Sequence, residues 1–203
     1  SARMDDAGRL RGGRQGHGTD WIINNMRPVM IVTKARDFAE RVHSAQKRRY
    51  TGEPYFVHLS EVATLCSRHG ASDEVVAAAY LHDSMEDQDV SYDELKQDFG
   101  RRVADMVVAL TDVPAVKDGL TRAERKHIDR MRLSASSGDV QTIKCADLIS
   151  NTATIVEYDK DFARYYLREK RALLMVLVNA EKTLHDMAWK TLIKTEDRLG
   201  IPR

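Results

Sequence analysis

Apolar residues recur at helical spacing along the chain after its first 20 residues, and this periodicity is the strongest constraint on the fold. A clear example is the stripe formed by Leu95, Phe99, Val103, Val107 and Leu110. Steps of three and four residues place side chains on one face of an α-helix, whereas strands alternate with a period of two. No strand-like alternation of useful length occurs. The pattern predicts an all-α fold, a compact multi-helix bundle with short connections.

The first 20 residues differ in composition from the rest of the chain. They hold nearly half of all glycines, interleaved with arginines, and few apolar residues. Such a segment cannot bury enough apolar surface to offset the loss of chain entropy on folding. We therefore expect a flexible Gly/Arg-rich leader over 1–20 and one folded domain over 21–203.

Charge and cysteine content exclude several classes of protein. Lys plus Arg total 32 against 31 for Asp plus Glu, a formal net charge of +1, whereas dedicated nucleic-acid binders usually carry a basic excess. No apolar run reaches transmembrane length and no signal sequence opens the chain, so no membrane partner is expected. Cys66 and Cys145 lie far apart in apolar helical contexts, which favours buried reduced thiols in a cytoplasmic protein.

The segment YLHDSMED, residues 80–87, places one histidine and three carboxylates behind an apolar run. On a continuous helix, residues four apart share a face, which pairs Glu86 with His82. Asp87 pairs with Asp83 in the same way. Such a helix end would present two metal ligands and two further carboxylates to one cavity. The alternative is an acidic helix end facing water, which a His-Asp dipeptide alone favours, so a metal site needs ligands elsewhere.

Two residues elsewhere in the chain are candidates for those ligands. His58 follows GEPYFV on the opening turn of a predicted helix, and Asp147 lies in the stretch TIKCADLISN. A buried carboxylate needs a cation or a donor, and Asn151 shares the helical face of Asp147. Two histidines and two aspartates suit octahedral Mn²⁺, Mg²⁺ or Fe²⁺ and fit structural zinc poorly, since no thiolate is present. Open water positions on such an ion indicate hydrolysis.

The order His58, His82-Asp83, Asp147 resembles the H…HD…D pattern of HD-domain phosphohydrolases. It is most similar to the hydrolase domain of RelA/SpoT-type alarmone enzymes. The supporting segments are RRYTGEPYFVH (48–58), VAAAYLHDSMED (76–87), FGRRVADMVVALTD (99–112) and KCADLISN (144–151). The chain ends where the long bifunctional enzymes continue into a synthetase domain. The resemblance therefore implies an HD-domain bundle around a metal site, in a free-standing small alarmone hydrolase.

The resemblance also implies catalytic roles for individual residues. Four would bind Mn²⁺, with Mg²⁺ and Fe²⁺ as the alternative ions: His58, His82, Asp83 and Asp147. Two would position or deprotonate the attacking water: Glu86 and Asp87. The implied reaction removes the 3′-pyrophosphate of ppGpp or pppGpp, giving GDP or GTP and pyrophosphate.

Substrate recognition is the part in which this chain departs from the family. Arg49 matches an arginine that stacks on the purine, Asn151 matches an asparagine near the ribose, and Arg122 aligns approximately with a phosphate-binding lysine. Tyr50 stands where the family usually has lysine, and Ala153 stands where it often has arginine. Tyr50 either changes the contacts to the base, which would admit adenosine alarmones (ppApp, pppApp), or is a tolerated packing residue.

Other assignments stay open at this point. Further cations are candidates for phosphate binding: Arg125, Lys126, Arg164, Arg168, Lys170 and Arg171. His43, near the apolar stripe of the first helix, is a candidate neighbour of the metal ligands. Other possible functions are an HD phosphohydrolase acting on ordinary nucleotides and a non-catalytic nucleotide-binding module, although Glu86 and Asp87 beside an intact ligand set argue against the latter. The expected partner is a small-molecule nucleotide, with a homodimer left open and no nucleic acid.

Overall fold

A computed structural model describes residues 17–112, 119–158 and 160–201. In these ranges the fold is all α, and an isolated bridge between Lys47 and Pro54 is the only strand-like pairing. Ten helices are present in the described residues: α1 His17–Val42, α2 Phe56–Arg68, α3 Asp73–Leu81, α4 Ser84–Asp87, α5 Tyr92–Phe99, α6 Arg101–Leu110, α7 Arg122–Ser134, α8 Gly138–Tyr158, α9 Lys160–Leu174 and α10 Lys182–Arg198. The predicted all-α fold class is confirmed.

Helix α3 lies at the centre of the bundle and packs against α1, α2, α6 and α8. Its apolar run is buried from Val75 to Ala79 and again at Leu81. Three successive alanines, at 77–79, have no bulk beyond Cβ, so they fit between helices on several sides. This packing brings the end of α3 beside the start of α2 and the middle of α8.

Helix α1 is shorter than the sequence pattern predicts. Ile31, Ala35, Phe38, Val42 and Ala45 fall on one helical face and predict a helix through Ala45, but α1 ends at Val42 and Ala45 is exposed. The chain turns back here, because the backbone N–H of Tyr55 donates to the carbonyl of Gln46. At the other end, α1 includes residues 17–20 of the predicted leader. Residues 1–16 lie outside the described ranges, so the division at residue 20 stays a prediction.

The stripe from Leu95 to Leu110 is buried, although it is divided between α5 and α6. Gly100 separates the two helices with a φ of +88°, a left-handed conformation that favours glycine. Thr121 and Glu124 have capping-box spacing in the sequence, and the capping box is present at the start of α7. Pro114 and Gly119 indicate a loop before this capping box, and Pro114 lies outside the described residues.

Helix α8 is anchored at its start by the connection between α9 and α10. Gln141 Oε1 accepts a hydrogen bond from the backbone N–H of Asn179 at 2.8 Å. Thr142 Oγ1 accepts one from the N–H of Glu181 at 2.8 Å. A Cβ at Gly138 would lie 2.5 Å from the carbonyl oxygen of Asn179, so only glycine fits there. These contacts fix the helix that carries Asp147.

Both cysteines are buried free thiols, as predicted. Among the helices of the described chain, none has the length and apolar character needed to cross a bilayer.

Candidate metal centre

His82 and Asp83 lie in a break between α3 and the one-turn helix α4. Ser84 Oγ donates to the Leu81 carbonyl at 2.6 Å, and His82 Nδ1 lies 2.8 Å from the Ala79 carbonyl. Asp83 has φ of −99° and ψ of 0°, outside the helical region. The prediction of one continuous helix through this segment is therefore wrong, because these side chain–backbone bonds end α3. The break brings His82 Nε2 within 3.0 Å of Asp83 Oδ2.

The four predicted metal ligands meet at one point. His58 Nε2 lies 3.4 Å from Asp147 Oδ1 and 3.7 Å from Asp83 Oδ2. His82 Nε2 lies 3.9 Å from Asp147 Oδ1. One ligand atom each from His58, His82 and Asp83 lie within 4.8 Å of one another. Residues from α2, from the α3–α4 break and from α8 thus form one cluster.

The cluster fits a divalent cation by the chemistry of its donors. The Nε2 atoms of His58 and His82 are buried, and neither forms a hydrogen bond with a described residue. Each faces carboxylate oxygens, which only accept, so a proton or a cation is needed between nitrogen and oxygen. Imidazole nitrogens combined with carboxylate oxygens suit Mn²⁺, Fe²⁺ or Zn²⁺ more than Ca²⁺.

The pKa shifts of residues in the cluster reflect the close approach of opposite charges. Burial opposes the charged ring of His82, but the Asp83 and Asp147 carboxylates and the Ala79 carbonyl together outweigh it and raise the pKa of His82 to about 9. Burial likewise opposes ionisation of Asp147. Lys144, whose Nζ lies 2.9 Å from Asp147 Oδ2, nevertheless holds the pKa of Asp147 well below its usual range. Tyr55 donates its hydroxyl to Asp83 Oδ2 at 2.6 Å.

Glu86 and Asp87 lie in α4, just beyond the ligands. Glu86 Oε2 accepts a hydrogen bond from the backbone N–H of Asp112 at 3.0 Å. Asp87 Oδ2 accepts one from Gln46 Nε2 at 2.8 Å. Burial raises the pKa of Glu86, with a further contribution from the Asp112 carboxylate, and burial also raises the pKa of Asp87. A carboxylate with a raised pKa is better matched to proton exchange with water near neutral pH.

His43 contacts the two residues that bond Asp83 and Asp87, namely Tyr55 and Gln46. It is buried, its ring stacks on that of Tyr55 with centroids 5.4 Å apart, and its Nδ1 lies 2.6 Å from Gln46 Oε1. Gln46 is the residue that holds Asp87. His43 therefore contacts neighbours of the cluster, in the position expected from the sequence.

A cavity of about 280 Å³ adjoins the cluster. Its lining includes the four predicted substrate-binding residues, Arg49, Tyr50, Arg122 and Asn151. The other lining residues are Arg48, Thr51, Tyr55, Ile155, Phe162 and Tyr166. Two residues connect the cavity to the cluster. Tyr55 donates to Asp83, and Asn151 Nδ2 donates to Asp147 Oδ1 at 2.6 Å.

Cations and aromatic rings are paired around the cavity. The Arg49 guanidinium lies 5.6 Å from the centre of the Tyr50 ring. The Arg122 guanidinium lies 5.4 Å from the Phe162 ring, and it binds both carboxylate oxygens of Glu169 at 2.8 and 2.9 Å. Phe162 was missed by the sequence analysis, as was Tyr166 four residues later. Their helical spacing on α9 was the available signal, but such spacing is more often found in a core.

The other candidate phosphate-binding cations are dispersed. Arg164 donates to the Leu199 carbonyl and Arg171 pairs with Glu196, so both are held against α10. Arg125 donates to the Leu120 carbonyl, and Arg168 is exposed.

Two lysines from that group lie closer to the cluster. Lys126 pairs with Asp112, and together with Lys170 and Lys144 it lines a small cavity of about 20 Å³. The side chain of Ala153 lies outside the described part of the chain.

Comparison with known proteins places the chain among related domains. Over residues 35–188 it matches the HD domain family. It is 31% identical over 173 residues to the guanosine-3′,5′-bis(diphosphate) 3′-pyrophosphohydrolase of Aquifex aeolicus, with 81% of this chain and 24% of that relative covered. A probable enzyme of the same name from Synechocystis is 30% identical over 154 residues, with 75% of this chain and 20% of the relative covered. The chain thus spans about a quarter or less of these curated relatives.

The fold is also similar to a solved structure. A metazoan ortholog of SpoT, described as hydrolysing ppGpp, superposes with a TM-score of 0.73 at 23% identity, with 85% of this chain and 97% of that chain covered. The structural similarity supports the all-α arrangement of helices. Since the family match covers most of the chain, including His58, His82, Asp83 and Asp147, the chain belongs to the HD domain family.

Proposed function

We propose that this chain hydrolyses the 3′-pyrophosphate of guanosine alarmones, converting ppGpp or pppGpp to GDP or GTP and pyrophosphate. The observation that carries the proposal is the His/Asp cluster beside a cavity with aromatic and cationic walls, joined to it by Tyr55 and Asn151. The names of the Aquifex and Synechocystis relatives support this choice of substrate.

The proposed cation is Mn²⁺, held by His58, His82, Asp83 and Asp147. When bound, such an ion lowers the pKa of a coordinated water and offsets negative charge on a phosphoryl group. Lys144 keeps Asp147 ionised and Tyr55 orients Asp83. The protein thus holds its oxygen donors in place before the cation arrives.

Glu86 and Asp87 are proposed to position or deprotonate the attacking water. Each accepts one hydrogen bond from the protein, from Asp112 N–H and Gln46 Nε2 respectively. That bond orients the carboxylate, while its other oxygen still has lone pairs for a water. A general base held in this way typically contributes about 10²–10⁴ to the rate.

The cavity suits a purine nucleotide. The Arg49–Tyr50 and Arg122–Phe162 pairs offer flat cationic and aromatic surfaces on which a base can stack. Lys126 pairs with Asp112, whose backbone N–H donates to Glu86. Lys126 and Lys170 line the same small cavity, and their ammonium groups are proposed to offer positive charge for the outgoing pyrophosphate.

Tyr50 bears on the choice between guanine and adenine. Because its ring packs beneath Arg49, it supports the stacking arginine, which agrees with a packing role. The free thiols support a cytoplasmic location. Oligomeric state stays a prediction.

A substrate panel tests the proposal. Purified protein with Mn²⁺ should release pyrophosphate from ppGpp, with ppApp, dGTP and GMP as comparison substrates, and a chelator should abolish release. Greater turnover of ppApp would move the proposal to adenosine alarmones, and a preference for dGTP or GMP would replace it with ordinary nucleotide hydrolysis. Tight binding of ppGpp without turnover would indicate a non-catalytic module.

A further inference from the structure

The two histidines of the cluster are held in different ways. His82 Nδ1 lies 2.8 Å from the Ala79 carbonyl. A carbonyl only accepts, so Nδ1 carries the proton and the Nε2 lone pair of the neutral ring faces the cation site. His58 Nδ1 instead lies 2.9 Å from Ser150 Oγ. A hydroxyl both donates and accepts, so Ser150 alone does not determine which nitrogen of His58 carries the proton.

Glu61 determines the direction of the Ser150 hydroxyl. Ser150 Oγ donates to Glu61 Oε2. A hydroxyl has a single proton, so once that proton points to Glu61 the oxygen accepts from His58 Nδ1–H. The chain of bonds therefore runs from His58 through Ser150 to Glu61.

Arg48 holds the outer end of this chain of bonds. Its Nη1 lies 3.3 Å from Glu61 Oε2, and its Nη2 donates to the Ser150 carbonyl at 3.3 Å. One guanidinium thus bridges the carboxylate and the backbone of the serine. The two residues are kept in register although they lie on different helices, α2 and α8.

We propose that Ser150 and Glu61 are positioning residues, which fix the tautomer of His58 so that its Nε2 lone pair faces the cation. Removal of Glu61 would free the Ser150 proton to turn towards Nδ1, which favours the tautomer with Nε2–H pointing into the site. Mutation of a hydrogen-bond partner of this kind typically weakens metal binding about 10- to 100-fold. The proposal rests on the metal site of the proposed function, but not on its substrate.

Ser150 and Glu61 differ in burial, so substitutions at the two positions test the proposal in different ways. Ser150 is buried, and a substitution there alters the interior. The Glu61 side chain is 48% exposed, so its replacement disturbs the interior less than one at Ser150 does. Glu61→Gln keeps an oxygen acceptor, whereas Glu61→Ala removes it. Ser150→Thr keeps the hydroxyl, whereas Ser150→Ala removes it.

The experiment measures Mn²⁺ affinity of metal-free protein from the electron paramagnetic resonance signal of free Mn²⁺. Ser150→Ala and Glu61→Ala should each weaken binding about 10-fold or more, while Ser150→Thr and Glu61→Gln stay within about 3-fold of the parent chain. Ser60→Ala, on the same helix and surface groove as Glu61, is the matched control and should bind as the parent does. Circular dichroism melting checks the fold.

Parent-like Mn²⁺ affinity of a folded Glu61→Ala variant would overturn the proposal, and this holds even if Ser150→Ala fails to fold. Equal losses in Glu61→Gln and Glu61→Ala would also overturn it, since the oxygen acceptor would then have no role. A parent chain that binds no Mn²⁺ would contradict both this proposal and the proposed function. Ser150-dependent Mn²⁺ binding without ppGpp turnover would contradict the proposed substrate alone.

Discussion

The stability of the metal-free protein should depend on pH, because the His82 ring binds a proton where it would otherwise bind the cation. Burial opposes the charged ring, yet Asp83, with Asp147 and the Ala79 carbonyl, raises the pKa of His82 from 6.5 to about 9. The folded protein therefore binds this proton more tightly than the unfolded chain does. In metal-free protein the stabilisation is fully present below pH 6.5 and is lost as pH rises through 9.

The magnitude follows from the two pKa values. At about 1.4 kcal/mol for each pKa unit, the whole effect is about 3.5 kcal/mol, of which about 1.5 kcal/mol is lost between pH 6.5 and 8. Lys170 sets the upper limit of the pH range over which this loss of stability can be measured. Burial and the nearby charge of Lys144 lower its pKa to about 8, so its contribution to stability increases at higher pH and offsets that of His82.

Urea unfolding followed by circular dichroism between about pH 6.5 and 8 measures this loss. With a chelator, the free energy of unfolding should fall as pH rises. With Mn²⁺ the stabilisation by metal should grow with pH, because protons compete less for the ligands. His82→Gln should remove most of the metal-free slope, and His127→Gln, at an exposed histidine, should retain it. A flat or rising profile for metal-free parent protein would refute this reasoning, as would an unchanged slope in His82→Gln.

Three substitutions test other parts of the account. Glu86→Gln should lower pyrophosphate release about 10²- to 10⁴-fold with unchanged Mn²⁺ affinity, and a matching loss of Mn²⁺ binding would contradict its role with water. Phe162→Ala should raise KM about 5- to 100-fold with kcat nearly constant, whereas an unchanged KM would exclude stacking on this ring. Gly138→Ala should lower the free energy of unfolding by about 1–3 kcal/mol in urea, because the new Cβ meets the Asn179 carbonyl oxygen; parent-like stability would show that the loop adjusts.

Helical periodicity was sufficient to predict the fold class, since buried stripes such as Leu95 to Leu110 keep their spacing even across the break at Gly100. Helix ends were harder to predict. Ala45 continues the apolar pattern of α1 but lies outside that helix, because the Gln46–Tyr55 backbone bond turns the chain. Periodicity records burial and carries no information on such closing contacts.

His58, His82, Asp83 and Asp147 were predicted as one set from the resemblance to the H…HD…D pattern, since their chemistry alone made them only candidates. The break that brings His82 to Asp83 was not, since it depends on a bond from Ser84 Oγ to a backbone carbonyl. The aromatic wall of the cavity was also missed. Phe162 and Tyr166 reach it through the packing of α9 beside α8, which the spacing of residues within α9 does not reveal.

A titration of metal-free protein with Mn²⁺, followed by pyrophosphate release from ppGpp, tests the central claim most directly. The proposed function predicts that activity rises from zero and saturates at one Mn²⁺ per chain. It also predicts that Asp147→Asn, which replaces a cluster oxygen with an amide, needs far more Mn²⁺ or stays inactive. Full activity in the presence of a chelator, or parent-like Mn²⁺ dependence in Asp147→Asn, would contradict it.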